Sequence, residues 1–335
     1  MNNRSKVQLS RLAHVYFEHP DLEEFEKFAI DFGFVEAKRS ENTTYLRGYG
    51  RDQYVYVASK SMDGKAHFRG AAFVAASEDD FNKARELPNA VAQTLEDAPG
   101  GGIMVTLSRP ENMFLHIIYG QAERDVPGDS TSAVASGLQA SFNTPFQKRR
   151  RGVFQRPHDG PALVHKLGHF GYNCTNFDTE LEFYTSNFNL VPSDILYHPG
   201  DPSKDVMVFL HLDQGEIFSD HHSFFMSRAS PDVRKTYLHH TSYEVTDFDT
   251  QLMGHQWLAK RNWKSVWGVG RHILGSQIFD YWQDPSGFKI EHYADGDVVN
   301  EATPVRRDAA GPFSIWGPEI PHDFGQDSTE TMLDK

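Results

Sequence analysis

The spacing of apolar residues along this chain changes period again and again. In "LAHVYFEHPDLEEFEKFAIDFGF", from Leu12, a short apolar run carrying a histidine gives way to a turn and then to Phe25, Phe28, Ala29 and Phe32. The last four fall at i, i+3, i+4 and i+7, one face of a helix. The stretch predicts a strand, a turn and an amphipathic helix with Asp21 as its N-cap. "LGHFGYNCTNFDTELEFYTSNFNL", from Leu167, repeats that order with Asp178 in the capping position. Two further copies begin at His67 ("HFRGAAFVAASEDDFNKAREL") and at Leu238 ("LHHTSYEVTDFDTQLMGHQWLAKRNW"). In the first of these, Ser77 and Asp80 are spaced as a capping box. Short runs such as "QYVYVAS", "IMVTLS", "VMVFLHL" and "SQIFDYW" follow the helices and predict strands. The chain thus reads as one unit of strand, helix and several strands, about 50–60 residues long and used four times.

The pattern lapses in two places. Residues 122–160 are dominated by Gly, Ser, Pro and Asp and read as a connecting segment. The "KRRR" at 148–151 reads as a solvated basic turn in preference to a nuclear address. From Glu301, the residues Pro304, Pro312, Pro318 and Pro321 interrupt any period. This tail is expected to lie as an extended strap over the second half, or to be partly disordered at its end.

Composition narrows the function. A net charge of −13 argues against a general affinity for nucleic acid. No apolar run approaches the roughly 18 residues of a membrane span, and the N-terminal stretch has neither the apolar region nor the cleavage site of a secretory signal. A single cysteine, Cys174, excludes an intramolecular disulfide and suits a cytoplasmic protein. It is expected to be a small buried apolar group. The 335 residues allow one large domain or two of ordinary size.

Seventeen histidines are a high count, concentrated between His165 and His292. His169 sits mid-strand in "KLGHFGYN", His240 at the start of the matching strand, and Glu291 in "GFKIEHYAD", the last strand of the last unit. Two imidazoles and a carboxylate from three strands can cover one face of a metal ion and leave the other open, the facial arrangement of non-haem iron sites. A closed set of four ligands would instead be structural. His239 beside His240, and the pair His221–His222, are alternatives that spacing alone leaves open.

One stretch carries more. "GRHILGSQIFDYWQDPSGFKIE" places Gly270, His272, Tyr281, Asp284, Pro285, Gly287 and Glu291 in a fixed order. With it the chain resembles the type I extradiol ring-cleavage dioxygenases of the vicinal oxygen chelate superfamily, such as catechol 2,3-dioxygenase and 2,3-dihydroxybiphenyl 1,2-dioxygenase. The resemblance covers nearly all of residues 9–300. Asp280 departs from it, since the family has an apolar residue before the tyrosine, and this bears on pocket polarity.

The resemblance implies an α+β fold of four βαβββ modules paired into two domains. Residues 9–121 would form a pair without a metal and 161–300 the catalytic pair, joined by 122–160 and followed by the tail 301–335. Fe(II), or less often Mn(II), would be held by His169, His240 and Glu291. His222 would match the catalytic histidine, and His272 and Tyr281 would bond the oxygens of the bound substrate. The family's H-x-A-F shape fits His240-Thr-Ser-Tyr and so favours His240 over His239. The same comparison favours His222 over His221. The implied partners are a catechol and O2, the product a muconic semialdehyde, and the assembly a homo-oligomer, with no nucleic acid or membrane involved. In the first half, His14 stands where His169 does, His116 where Glu291 does, and Arg69 or Gly70 opposite His240. His165, His198, His211, His255 and His292 read as structural or surface residues.

Three other readings share the fold. A 4-hydroxyphenylpyruvate dioxygenase-like enzyme also uses two His and a Glu but lacks this His–Tyr–Glu spacing. Glyoxalase-type isomerases favour a different ligand set. A non-catalytic binding or resistance protein has no use for all six groups.

Overall fold

The structure, a computed structural model, describes residues 5–126, 143–152, 154, 159–327 and 329. The end of the tail and much of the connecting segment lie outside the described residues. The first unit is β1 (Leu9–His19), α1 (Leu22–Phe32), β2 (Val35–Arg39), β3 (Thr43–Arg47) and β4 (Tyr56–Lys60). The second is β5 (His67–Ala75), α2 (Glu78–Arg85), β6 (Ala90–Thr94), β7 (Ile103–Arg109) and β8 (Met113–Tyr119). The third is β9 (Leu167–Cys174), α3 (Phe177–Asn187), β10 (Leu190–His198) and β11 (Asp201–Leu212), with the two-residue β12 (Ser219–Asp220) before β13 (Phe224–Arg228). The fourth is β14 (Tyr237–Glu244), α4 (Phe248–Lys260), β15 (Lys264–His272), β16 (Ile278–Gln283) and β17 (Lys289–Ala294). All four are βαβββ units, and the fold is α+β.

Units join in pairs through their first strands. β1 lies antiparallel to β5, giving the sheet order β2-β3-β4-β1-β5-β8-β7-β6. β9 lies antiparallel to β14 in the second sheet. There the tail adds a strand at each edge, β19 (Arg306–Ala309) beside β10 and β20 (Ser314–Trp316) beside β15. The tail is therefore a strap over the second half, stitched to both ends of its sheet. β12 pairs with β18 (Val298–Val299).

Local chemistry explains the helix starts. The Asp21 carboxylate accepts from the Glu24 N–H at 3.0 Å, and Phe25, Phe28, Ala29 and Phe32 form the buried face of α1. Gly33 ends it with φ of 110°, a left-handed conformation that favours glycine. Asp247 caps α4 through Thr250 N at 2.8 Å. Two expectations need correction. α3 starts at Phe177 with Asn176 before it and no side-chain cap, so Asp178 is not the N-cap. Its carboxylate instead pairs with Arg228 at 2.6 Å. Ser77 does cap α2, accepting from Asp80 N at 3.1 Å. The box is not reciprocal, however, because the Asp80 carboxylate is taken by the Ser77 hydroxyl, Lys83 and Gln8 N.

The two pairs share one apolar core, in which Phe25, Phe73, Phe170 and Phe224 belong to a single cluster. Polar ties fix their register. Asn189 accepts from Leu9 N at 2.7 Å and donates to Leu9 O at 3.0 Å. Arg109 forks onto Glu180 at 2.7 and 3.1 Å. His292 donates Nε2–H to Phe32 O at 2.7 Å, which makes it a structural residue as expected. No helix among the described residues is long and apolar enough to cross a membrane.

Candidate metal centre and active site

Strand register assembles the site. Ser242 on β14 pairs with His169 on β9 and with Glu291 on β17. His240 lies two residues before Ser242, so the alternation of a strand puts it on the same face. Three neighbouring strands thus present His169, His240 and Glu291 together. His240 is the fourth residue of β14, deeper into its strand than the pattern indicated. The register continues outward. Glu291 pairs with Tyr281 on β16, and Tyr281 with Trp267 on β15. On the other side Gly171 pairs with Phe225, Phe225 with Phe209, and Phe209 with Asp194.

The three ligand residues are buried and form a near-equilateral triangle. His169 Nε2 lies 3.1 Å from His240 Nε2, and these nitrogens lie 3.2 and 3.3 Å from Glu291 Oε2. Despite this closeness, neither Glu291 oxygen has a hydrogen-bond partner of good geometry. Buried polar atoms are normally satisfied. Three donors about 2.1 Å from one cation and at right angles to one another lie about 3.0 Å apart, so a single divalent ion would satisfy all three. Charge states agree. Burial acts to raise the Glu291 pKa, but the two imidazoles outweigh it and hold the carboxyl well below its usual range. Burial pushes His240 down to about 4, against the pull of Glu291. Metal ligands require this combination of carboxylate and neutral imidazole. His240 Nδ1 faces His239 Nδ1 at 2.7 Å, so His239 is the outer partner of the ligand His240.

His272 and Tyr281 meet as the sequence motif anticipates. His272 Nδ1–H donates to Phe313 O at 3.1 Å, which leaves Nε2 as the acceptor for the Tyr281 hydroxyl at 2.9 Å. Burial lowers the His272 pKa and raises that of Tyr281, the latter reinforced by Glu291. His272 Nε2 is 3.9 Å from Glu291 Oε1. The His222 ring centre is 4.1 Å from that of His169. Burial, and then the surrounding imidazoles, push its pKa well down. Its Nδ1 lies 3.1 Å from His221 Nδ1, and His221 Nε2 lies 2.7 Å from Asp194 Oδ2. Asp194 thus holds His221 from behind, and His221 engages Nδ1 of His222.

His169, His222, His239, His240, His272 and Tyr281 line a cavity of 370 Å³. The tail closes one side. Phe324 packs edge-on to Trp267 and Tyr281, with ring centres 5.0 and 4.9 Å away. Gly325 O accepts from Asn173 Nδ2 at 2.7 Å, and Pro318 O from Trp267 Nε1 at 2.9 Å. Asp280 takes no part. It points to the opposite face of the sheet, where His255 Nδ1 lies at 2.9 Å and Trp282 Nε1 donates at 2.7 Å. The departure at this position therefore leaves the pocket unchanged.

The first half has the same register without the same chemistry. His14 and His116 both pair with Ala72, the counterpart of Ser242, so Gly70 is the counterpart of His240. Gly70 has φ of 105°, and a Cβ there would lie 2.5 Å from Phe114 O. His14 Nε2 faces Tyr16 OH at 2.9 Å, while His116 is engaged at both nitrogens, by Thr106 Oγ1 at 2.9 Å and Arg69 O at 2.7 Å.

Sequence reasoning missed Asp194, His221 and His239 as supporting residues. The two His-His pairs were a signal. Nothing local marks Asp194, which reaches His221 only through strand pairing. Among the other histidines, His211 bonds Ser193 at 2.7 Å and His165 bonds Glu244 at 2.8 Å, both outside the site. Cys174 is buried, and burial pushes its thiol up to about 11.

Comparison with known proteins agrees with the fold. Residues 166–292 match the Glyoxalase/Bleomycin resistance protein/Dioxygenase superfamily. Metapyrocatechase 2 of Cupriavidus necator is 27% identical over 327 residues, covering 96% of this chain and 93% of that protein. Homoprotocatechuate 2,3-dioxygenase of Brevibacterium fuscum, in its anaerobic complex with 3,4-dihydroxyphenylacetate, superposes with a TM-score of 0.76 at 14% identity, over 96% of this chain and 93% of that one. The Mn(II)-bound glyoxalase of Novosphingobium aromaticivorans gives 0.73 at 18% identity, over 94% and 95%.

Proposed function

We propose that this glyoxalase-fold protein is an extradiol dioxygenase. It opens the aromatic ring of a catechol beside the diol, incorporates both atoms of O2 and yields a muconic semialdehyde. The observation that carries the reading is the convergence of the buried His169, His240 and Glu291 beside a cavity lined by His222, His272 and Tyr281. Likeness to metapyrocatechase 2 along 96% of the chain supports it. The fold alone does not choose the reaction, since a glyoxalase shares it. What favours ring cleavage is the set of groups around the triad.

The ion is Fe(II), with Mn(II) as the alternative that the same ligands accept. When bound it would supply Lewis acidity that favours the ionised catechol, and a redox centre for O2. The residues do the rest. Two neutral imidazoles and one carboxylate leave a divalent site with one net positive charge, which suits a catechol that has lost one proton. His222, whose pKa burial pushes down, accepts a proton from the catechol and returns it when the ring opens. His272, engaged at both nitrogens, orients the Tyr281 hydroxyl, whose free lone pair can accept from the catechol oxygen that keeps its proton. The cavity walls keep the reacting groups together and limit water. The reading extends to a cytoplasmic homo-oligomer, the first from the lone buried Cys174 and the second from the resemblance alone.

The test is reconstitution with Fe(II) under argon, followed by catechols in air. One O2 consumed per catechol, with a yellow product, is expected. Oxygen uptake that yields a colourless diacid or a quinone, or no uptake from fully loaded protein, contradicts the reading.

A further inference from the structure

The cavity that opens onto His169 and His240 is walled largely by apolar groups. Phe209 and Phe225 stand beside His222, Trp267 beside Tyr281, and Phe313 and Phe324 come from the tail. Among the described residues that line it there is no arginine, lysine, aspartate or glutamate, and its nitrogen donors are imidazoles and amides. One of those amides, Asn173, already spends one of its two Nδ2 hydrogens on Gly325 O. Lys289, two positions before Glu291, does not line the cavity, and its ammonium donates to Gln326 O at 2.6 Å.

A charge needs a partner in such surroundings. A carboxylate moved from water into an apolar wall without a cation or several N–H donors is strongly disfavoured. Apolar carbon placed there is favoured in proportion to its area. The net charge of −13 adds a long-range field that slows the approach of anions. At 370 Å³ the cavity falls within the range of small-molecule sites. It has room for more than a bare catechol.

We infer that the physiological substrate is an uncharged catechol with an apolar ring substituent, and that catechols with a carboxylate side chain are rejected. This rests on the dioxygenase reading and adds a substrate class to it. It also separates this chain's pocket from the complex of its structural neighbour, whose ligand is 3,4-dihydroxyphenylacetate.

The experiment uses three probes on the full-length, Fe(II)-loaded protein: 4-propylcatechol, 3,4-dihydroxyphenylacetate and the methyl ester of the latter, which keeps the skeleton and removes the charge. kcat/KM is measured in air. Binding is measured anaerobically by quenching of tryptophan fluorescence, with Trp267 in the cavity wall as reporter. The ester and 4-propylcatechol are expected to exceed the acid by about 100-fold in both readouts, and each methylene added to a 4-alkylcatechol to raise kcat/KM about fourfold until the cavity is filled. A ratio of ester to acid below tenfold overturns the inference while leaving ring cleavage standing. Cleavage of none of the three overturns the dioxygenase reading instead, and the binding ratio then decides whether the cavity rejects the carboxylate.

Discussion

The Asp194 carboxylate lies 2.7 Å from His221 Nε2, and both side chains are buried. Because His221 in turn faces His222 Nδ1, this contact positions the His222 ring and sets which group meets its Nδ1. Asp194→Asn keeps the shape but removes the negative charge behind His221. The variant is expected to retain the metal and lose about tenfold in kcat. Metal analysis beside steady-state kinetics checks it, and loss of metal instead would assign Asp194 to holding the fold.

His222 itself should behave differently from the ligands. His222→Gln keeps a polar side chain but no proton acceptor of imidazole basicity. Metal content is expected to stay full while kcat falls by about 10²–10⁴. A rate within threefold of the parent would remove His222 from the proton transfer.

The sequence made much of this legible, for a physical reason. Ligands that share one face of three strands must sit at fixed offsets within repeated units, so the repeat and the His–Tyr–Glu spacing expose them before any coordinates. Asp178 misled because a capping rule sees only local chain, whereas Arg228 of β13 claims that carboxylate from 50 residues away. The edge strands β19 and β20 were hidden for the same reason, since their partners β10 and β15 lie elsewhere in the chain. Asp280 looked like a pocket residue because a motif does not record which face a side chain takes. Its neighbour Tyr281 faces the triad, and alternation sends Asp280 toward α4.

Stability should fall on the acid side. Burial holds His116 at about 4 and His19 at about 3, both below the ordinary histidine value. Below pH 6.5 the unfolded chain takes up protons that these buried rings refuse. Their contribution is therefore complete above pH 6.5 and is lost as pH falls toward 4, by about 1 kcal/mol per pH unit for each ring. Asp284 has the opposite sign. Burial raises it to about 7, so its contribution is present below pH 4 and is lost as pH rises through 7. Urea unfolding of the parent and of His116→Gln between pH 5 and 7.5 isolates one ring. The variant is expected to show the shallower slope, and identical slopes would mean that His116 titrates normally.

The clamp between the halves is Arg109, forked onto Glu180 with its guanidinium carbon 3.3 Å from the centre of the Phe183 ring. Arg109→Ala strands a largely buried carboxylate and removes the stacked contact. A loss of about 2–3 kcal/mol is expected from urea unfolding, with metal affinity unchanged because the triad lies wholly in the second sheet. A loss below 0.5 kcal/mol would show that the clamp is dispensable.

The tail should govern the substrate and not the metal. A chain ending at Pro312 loses the Phe313 carbonyl that orients His272 and the Phe324 ring against Tyr281. Full metal content with KM raised about tenfold or more is expected. An unchanged KM would separate the tail from the site.

The most direct test of the central claim is a titration of metal-free protein with Fe(II), in which bound metal and catechol-dependent O2 uptake are followed together. Both are expected to saturate at one ion per chain, and neither to rise in Glu291→Ala. Full uptake of O2 by the Glu291→Ala protein, or activity that saturates out of step with the first bound ion, would contradict a catalytic centre built on His169, His240 and Glu291.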